Sequence, residues 1–266
     1  VNVPSSVYEI QTKAFADCSS LVSLDLPAGL ETIGNQAFSD CTSLASFHMP
    51  TRLYNIAHCV LWNCISLRSI TLPKILRIIV PAMFVGCIPL THCEIPPTVT
   101  KIGRNAFELC VTLKHLRVPS NVVRIGGRAF LGCEQLASVL LLGNLQTIEE
   151  AAFCRCASLT QLRIPSSVTR IERSAFANCT RLISLELPEG LEMIDLDGDY
   201  GPRFLVRAES YGCRSLVNLV MPSTQKHYHY DRELFMERTK LQHVAIDSID
   251  LVSKLQHRFD DLPVHR

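Results

Sequence analysis

A β-rich solenoid is the fold class that this sequence predicts, and three observations predict it. A cysteine returns at Cys18, Cys41, Cys64, Cys87, Cys110, Cys133, Cys156 and Cys179, once every 23 residues without a slip. Between successive cysteines stands a short alternating apolar pair, nearly always followed by proline. An Ala-Phe dipeptide comes back just ahead of most of the cysteines. So strict a period means one supersecondary unit stacked on copies of itself, each touching only its neighbours.

Taking each cysteine as position zero, leucine holds +3 in every unit from Leu21 to Leu182. Positions +6 and +8 are apolar around a variable +7, as in Leu116-Arg117-Val118 and Leu162-Arg163-Ile164. Alternation of this kind reads as a half-buried strand. Proline at +9, from Pro27 to Pro188, removes a ladder donor and ends that strand. Leu142 is the exception, and its strand is expected to run one residue longer. A second apolar pair follows at +12 and +15, the latter isoleucine in all units from Ile33 to Ile194, and predicts a second short extended segment. Phenylalanines such as Phe38, Phe107, Phe130, Phe153 and Phe176 share one phase and are expected to stack as an aromatic spine, thinned where Leu61 stands instead.

Bulk composition narrows the functions. The chain has 266 residues, with Lys+Arg 26 against Asp+Glu 25 and a net charge of +1, so no general attraction to polyanions follows and no nucleic-acid partner is expected. No apolar run approaches the ~20 residues of a membrane span. Eight of the 12 cysteines occupy one phase, where stacking leaves their Cβ vectors parallel and poorly placed for disulfides. They read as a ladder of buried thiols acting as small hydrophobes. Free thiols in such number favour the cytoplasm. A cell-surface or secreted location is the alternative, were a signal peptide to lie upstream of Val1.

The pattern resembles the BspA-like, or Treponema pallidum-type, leucine-rich repeats. Their Val-x-x-Ile-Gly segment and Ala-Phe-x-x-Cys turn stand here as Val99-Thr100-Lys101-Ile102-Gly103 and Ala106-Phe107-Glu108-Leu109-Cys110. The resemblance covers residues 1–222 and implies a right-handed leucine-rich repeat superhelix of parallel strands. It implies protein or cell-surface interaction and no catalytic residue.

The period breaks after Leu191. Cys213 lies 34 residues beyond Cys179 (213 − 179), and the insertion falls in a Gly-, Pro- and Asp-rich loop at 195–205. A degenerate copy at 234–246 carries Arg238 at the cysteine phase, as suits a terminal unit. Ile249, Val252, Leu255 and Phe259 have helical spacing and predict a C-terminal cap helix. Residues 223–266 thus read as a capping repeat and helix. The segment 257–265 resembles the joint after the repeats in multi-domain diatom proteins of the family, which implies a further domain downstream.

Candidate chemistry is sparse. Asp195, Asp197 and Asp199 resemble the start of a calcium loop, but Tyr200 and Val206 stand where glycine and glutamate are required. His227 and His229 lack a third ligand. Cys154 and Cys156 are too close for a redox pair; Cys154 reads as a turn residue and Cys93 as core. No phosphate-binding loop or nucleophile elbow appears, and His48, His92 and His115 have no nucleophile beside them. The chain is therefore read as a non-enzyme without cofactor or metal. Recognition is left to the exposed strand phases, whose stacked rows make a face roughly 40 Å long. The central patch His92, Glu94, Lys114, His115, Arg117, Gln161, Arg163 and Glu186 is the expected binding site, for a protein partner held by a monomeric scaffold. A surface adhesin or carbohydrate-binding module is the alternative.

Overall fold

The computed structural model describes residues 2–195 and, beyond them, the strands Asn218–Met221, His227–His229, His243–Ile246 and Val264–His265. The chain winds into a parallel β-solenoid of about 8 turns. Most turns contribute a face strand of three or four residues, such as His115–Val118 or Gln161–Arg163, and a two-residue strand on another side, such as Arg124–Ile125. Most strands pair in parallel with the strand one unit on, as Gln161 faces Ser184 and Thr147 faces Arg170. The insertion after Leu191 leaves the register intact, since Leu185 faces Leu219 and Ile194 faces Tyr228. His243–Ile246 extends the face, with Leu219 opposite Val244. Arg238, the helix expected over 249–259 and loop residues 196–205 lie outside the described residues.

Proline does more than end the strand. Its carbonyl accepts the N–H of the apolar residue three positions on, as in Leu30 to Pro27 at 3.0 Å and Val122 to Pro119 at 3.1 Å. A turn is thus closed at each Pro-x-x-Leu or Pro-x-x-Val. Leu142 carries the N–H that proline lacks and donates it to Val118 at 3.2 Å. The strand Ser138–Leu141 nonetheless ends at the same phase as His115–Val118, because Gly143 follows with φ +67° and turns the chain.

The face sheet is not the continuous one expected. Ser46–His48 pairs with Ser69–Thr71, residues 91–95 form no strand, His115–Val118 pairs with Ser138–Leu141 alone, and pairing starts again at Gln161–Arg163. Two prolines in succession, Pro96 and Pro97, follow the first break and remove two donors where other units remove one.

The core is a set of columns. Ile33, Ile79, Ile102, Ile125, Ile148 and Ile171 are wholly buried, as are Leu44, Leu67, Leu90, Leu113, Leu136 and Leu159. Ring centroids of Phe84, Phe107, Phe130, Phe153 and Phe176 follow one another at 5.0, 5.3, 5.2 and 5.9 Å, stacked nearly face to face. Phe15 and Phe38 form a separate stack at 5.1 Å, and the spine is interrupted at Leu61. The one ring at a +6 position, Phe47, lies edge-on against Phe38 at 4.8 Å, beside that interruption.

The thiols are buried as expected, and they also act as donors. Cys64, Cys110 and Cys133 each place Sγ 3.2 Å from the carbonyl of Phe38, Phe84 and Phe107 in the turn before. The same carbonyls of Phe84 and Phe107 accept the N–H of Cys87 and Cys110 at 3.1 Å. Each such carbonyl therefore receives one bond from its own turn and one from the next, which staples turns together inside the core. Burial pushes the Cys64 thiol up to about 12 and the Cys41 thiol to about 11, and raises Cys87, Cys110 and Cys156 well above the ordinary thiol value. Cys154 is not merely a turn residue: it is 4% exposed and packs with Ala151 and Ala177 in a small cluster outside the main core.

Candidate partner-binding face

Strand pleating alone decides which side chains meet water here. In His115–Val118 the residues alternate exposed, buried, exposed, buried, so His115 and Arg117 project outward while Leu116 and Val118 join the core. The same alternation exposes Gln161 and Arg163 around Leu162, and Glu186 after Leu185. His92, Glu94 and Lys114 are exposed as well.

The structure divides seven of these eight residues among three shallow depressions, and Gln161 lines none of them. His92, Glu94 and Arg117 line one of ≈ 440 Å³, over the strand break and floored by Cys93 and Pro119. Lys114 and His115 line a second of ≈ 370 Å³ at the other end of the strands, together with Gln135 and Arg181. Arg163 and Glu186 line a third of ≈ 580 Å³ with Leu140. Gln161 lies in the row of His115, with Ser138 between their strands. Arg181 sits at +2, before the strand phases begin, so a search confined to strand positions misses it. Leu140, 51% exposed, separates Arg117 from Arg163 in the +7 row.

On the two-residue-strand side three arginines are matched to acids: Arg124 to Glu149 at 3.0 Å, Arg170 to Glu172 at 3.5 Å and Arg173 to Glu150 at 2.7 Å. These exposed pairs each contribute at most ~1 kcal/mol. Among the described residues, neither Arg117 nor Arg163 is in an ion pair, although Glu186 is the register partner of Arg163. Two turns separate the two arginines, so their backbone positions are ~10 Å apart. His115 is held by Nδ1 within 2.8 Å of Ser138 Oγ, so the small residue at +5 is a bonding partner as well as a spacer.

Cys93 is core, 3% exposed, and burial together with the neighbouring Glu94 pushes its thiol up to about 12. Among the described residues no group of three or more His, Cys, Asp or Glu is placed to hold a metal. Asp195 closes the strand Met193–Asp195, which runs beside His227–His229; Asp197 and Asp199 lie outside the described residues. Among the described residues no helix is long and apolar enough to cross a membrane.

Stacked 23-residue turns with Leu, Ile, Phe and Cys columns define a leucine-rich repeat protein. The chain belongs to the BspA-type leucine-rich repeat family, whose model matches in six copies over residues 1–114 and 100–197. Among solved structures it is similar to a leucine-rich repeat protein from Bacteroides ovatus, at 23% identity and a TM-score of 0.56, over 99% of this chain and 76% of that one. A leucine-rich cell surface protein from Faecalibacterium prausnitzii is similar at 22% identity and a TM-score of 0.56, over 90% and 81%. The leucine-rich repeat protein of T. pallidum is 31% identical over 68% of this chain and 77% of its own, with a TM-score of 0.50. No curated protein sequence matches. The family and the fold are generally non-enzymatic and are compatible with an interaction or surface-protein role.

Proposed function

We propose that this chain is a non-enzymatic scaffold that holds an acidic segment of a partner protein on the centre of its strand face. The observation that carries this reading is that Arg117 and Arg163 project from the same row of the face, exposed, and that among the described residues neither is in an ion pair. Lys114, His115 and Arg181 add positive charge in the neighbouring depression. The described repeat turns, residues 2–195, supply the platform. The double variant Arg117→Glu/Arg163→Glu is expected to lose at least ~10-fold in partner retention, in a pull-down compared by quantitative mass spectrometry, at unchanged melting temperature. Equal retention of every protein by wild type and variant would sink the reading.

The proposed location is the cytoplasm, and the similarity to a cell surface protein favours the alternative of a surface adhesin. Cys18, the first of the ladder, and Cys59 decide between them, since these thiols are only half-buried while the ladder from Cys41 to Cys179 is shielded. Alkylation of freshly opened cells is expected to find both reduced. Recovery of either as a mixed disulfide would favour the surface.

A further inference from the structure

We propose that the turn edge around Trp62 is a second docking surface, separate from the strand face, and that it takes a basic amphipathic helix from a partner protein. The edge consists of the two positions before and the one after each cysteine. The position after it is polar in the outer turns, at Ser19, Thr42 and Thr180, and becomes Ile65, Ile88 and Val111 in the turns of Cys64, Cys87 and Cys110. Beside this row stand Trp62 and Val85, two positions before their cysteines, and Leu109, one position before Cys110. Four of these are well exposed, Trp62 at 39%, Ile65 at 44%, Ile88 at 45% and Leu109 at 46%. The turn geometry does not need apolar groups in the row of Ile65, Ile88 and Val111, since Ser19, Thr42, Glu134 and Thr180 hold the same place in other turns. Exposed apolar side chains gathered on three successive turns mark an interaction site.

Leu109 shows how far the edge departs from what the backbone prefers. Its φ is +59°, in a row otherwise held by Asp17, Asp40, Asn63, Gly86, Gly132, Arg155 and Asn178. Left-handed backbone suits Gly, Asn and Asp and costs a leucine ~1 kcal/mol or more. Leu109 lies over Gly132, where an added Cβ would meet its Cδ2 at 2.8 Å. A strained, exposed leucine accommodated by a neighbouring glycine has no evident use in folding.

Charge and spacing identify the occupant. The rim is acidic, with Asp17 and Asp40 on the N-terminal side, Glu108 between the apolar rows and Glu134 following Val111 along the array. Two copies of this chain meeting edge to edge would set those acids against their equals, and an anionic membrane would be repelled in the same way. An apolar stripe flanked by Lys or Arg fits both features. Successive turns are ~4.8 Å apart and a helix rises ~5.4 Å per turn. Side chains at i, i+4 and i+7 would therefore fall one per turn onto the rows of Trp62, Ile88 and Leu109.

Trp62 is the single tryptophan of the chain and reports directly. Its emission is expected to shift to the blue, saturably, on titration with a synthetic Leu/Lys amphipathic peptide of ~14 residues, and to stay unchanged with the Leu/Glu counterpart. Added salt weakens the binding. Ile88→Asp lowers affinity at least ~10-fold. Leu109→Asn also weakens binding while leaving the melting temperature the same or higher, because relief of the backbone offsets the loss of an exposed side chain's contacts, and this separates docking from folding. No saturable shift with the Leu/Lys peptide, or an equal one with Leu/Glu, would overturn the proposal. So would a dimer in sedimentation that Ile88→Asp dissolves, or a blue shift with anionic vesicles matching that of the peptide. The strand-face variants leave this titration unaltered, so either proposal fails without the other.

Discussion

Cys110→Asp is expected to lower stability by several kcal/mol, while Cys110→Ala lowers it by only ~1 kcal/mol. Cys110 is wholly buried, with the rungs of Cys87 and Cys133 on either side. A carboxylate there would have no cation to pair with and would face the carbonyl of Phe84, which now accepts the thiol at 3.2 Å. An unpaired buried charge costs ~3–5 kcal/mol. Alanine loses one weak donor and a sulfur's worth of packing, but the Phe84 carbonyl keeps the N–H of Cys87 at 3.1 Å and is not left unsatisfied. The ladder also fixes the response to alkali. Burial raises the folded-state value of Cys64 to about 12 and of Cys41 to about 11, from 9.0 in an open chain. These thiols therefore support the fold fully below pH ~9, where both states are protonated. As pH climbs toward their folded values only the unfolded chain releases protons, and each thiol then withdraws somewhat over ~1 kcal/mol per pH unit. Urea melts at neutral pH and at pH ~10 check both claims. Equal, negligible losses for Asp and Ala, with no alkaline sensitivity, would mean that the sulfurs are not interior.

The contrast between what the sequence discloses and what it conceals follows from the difference between columns and neighbours. Periodicity reads down columns, so Ile33 to Ile171, the Phe spine and the Cys ladder were legible, as were the strand at Gln161–Arg163 and its parallel register. The thiol bonds were not, because Cys110 reaches back 26 residues to Phe84, an offset that is not a multiple of the repeat. The sheet break at residues 91–95 depends on backbone hydrogen bonding after Thr91, and Cys93 and Ile95 keep the apolar pattern throughout it. The candidate site suffered most. Rows predicted which side chains are exposed, His115 and Arg163 among them, but the three depressions depend on strand length and on residues off the strand phases, such as Arg181. The Trp62 edge belongs to phases that look arbitrary in any single unit and acquire meaning only when Ile65, Ile88 and Leu109 are stacked.

Phe107→Ala is expected to cost ~3–5 kcal/mol and to divide the array into two unequal cooperative units. The ring is fully buried, and it stands 5.0 Å from Phe84 and 5.3 Å from Phe130, so truncation leaves a cavity bounded by two rings at once. In a compact globule such a loss is shared by the whole core. In a solenoid each turn touches only the turn before and the turn after, and the loss falls on two interfaces. The spine already contains one natural gap at Leu61, where the Phe15–Phe38 stack and the Phe84–Phe176 stack do not meet. A second gap at Phe107 would isolate the turns of Cys64 and Cys87 between two weak junctions. Hydrogen exchange is the decisive measurement. Amides of Met83, Phe84 and Cys87 should lose protection before those of Phe153 and Cys156, and denaturant unfolding should become biphasic. Phe107→Leu, which reproduces what Leu61 already does, should cost less than half as much and leave a single transition. A Phe107→Ala protein that melts in one step with a loss under ~1 kcal/mol would show that the aliphatic columns of Leu and Ile, rather than the stacked rings, join one turn to the next.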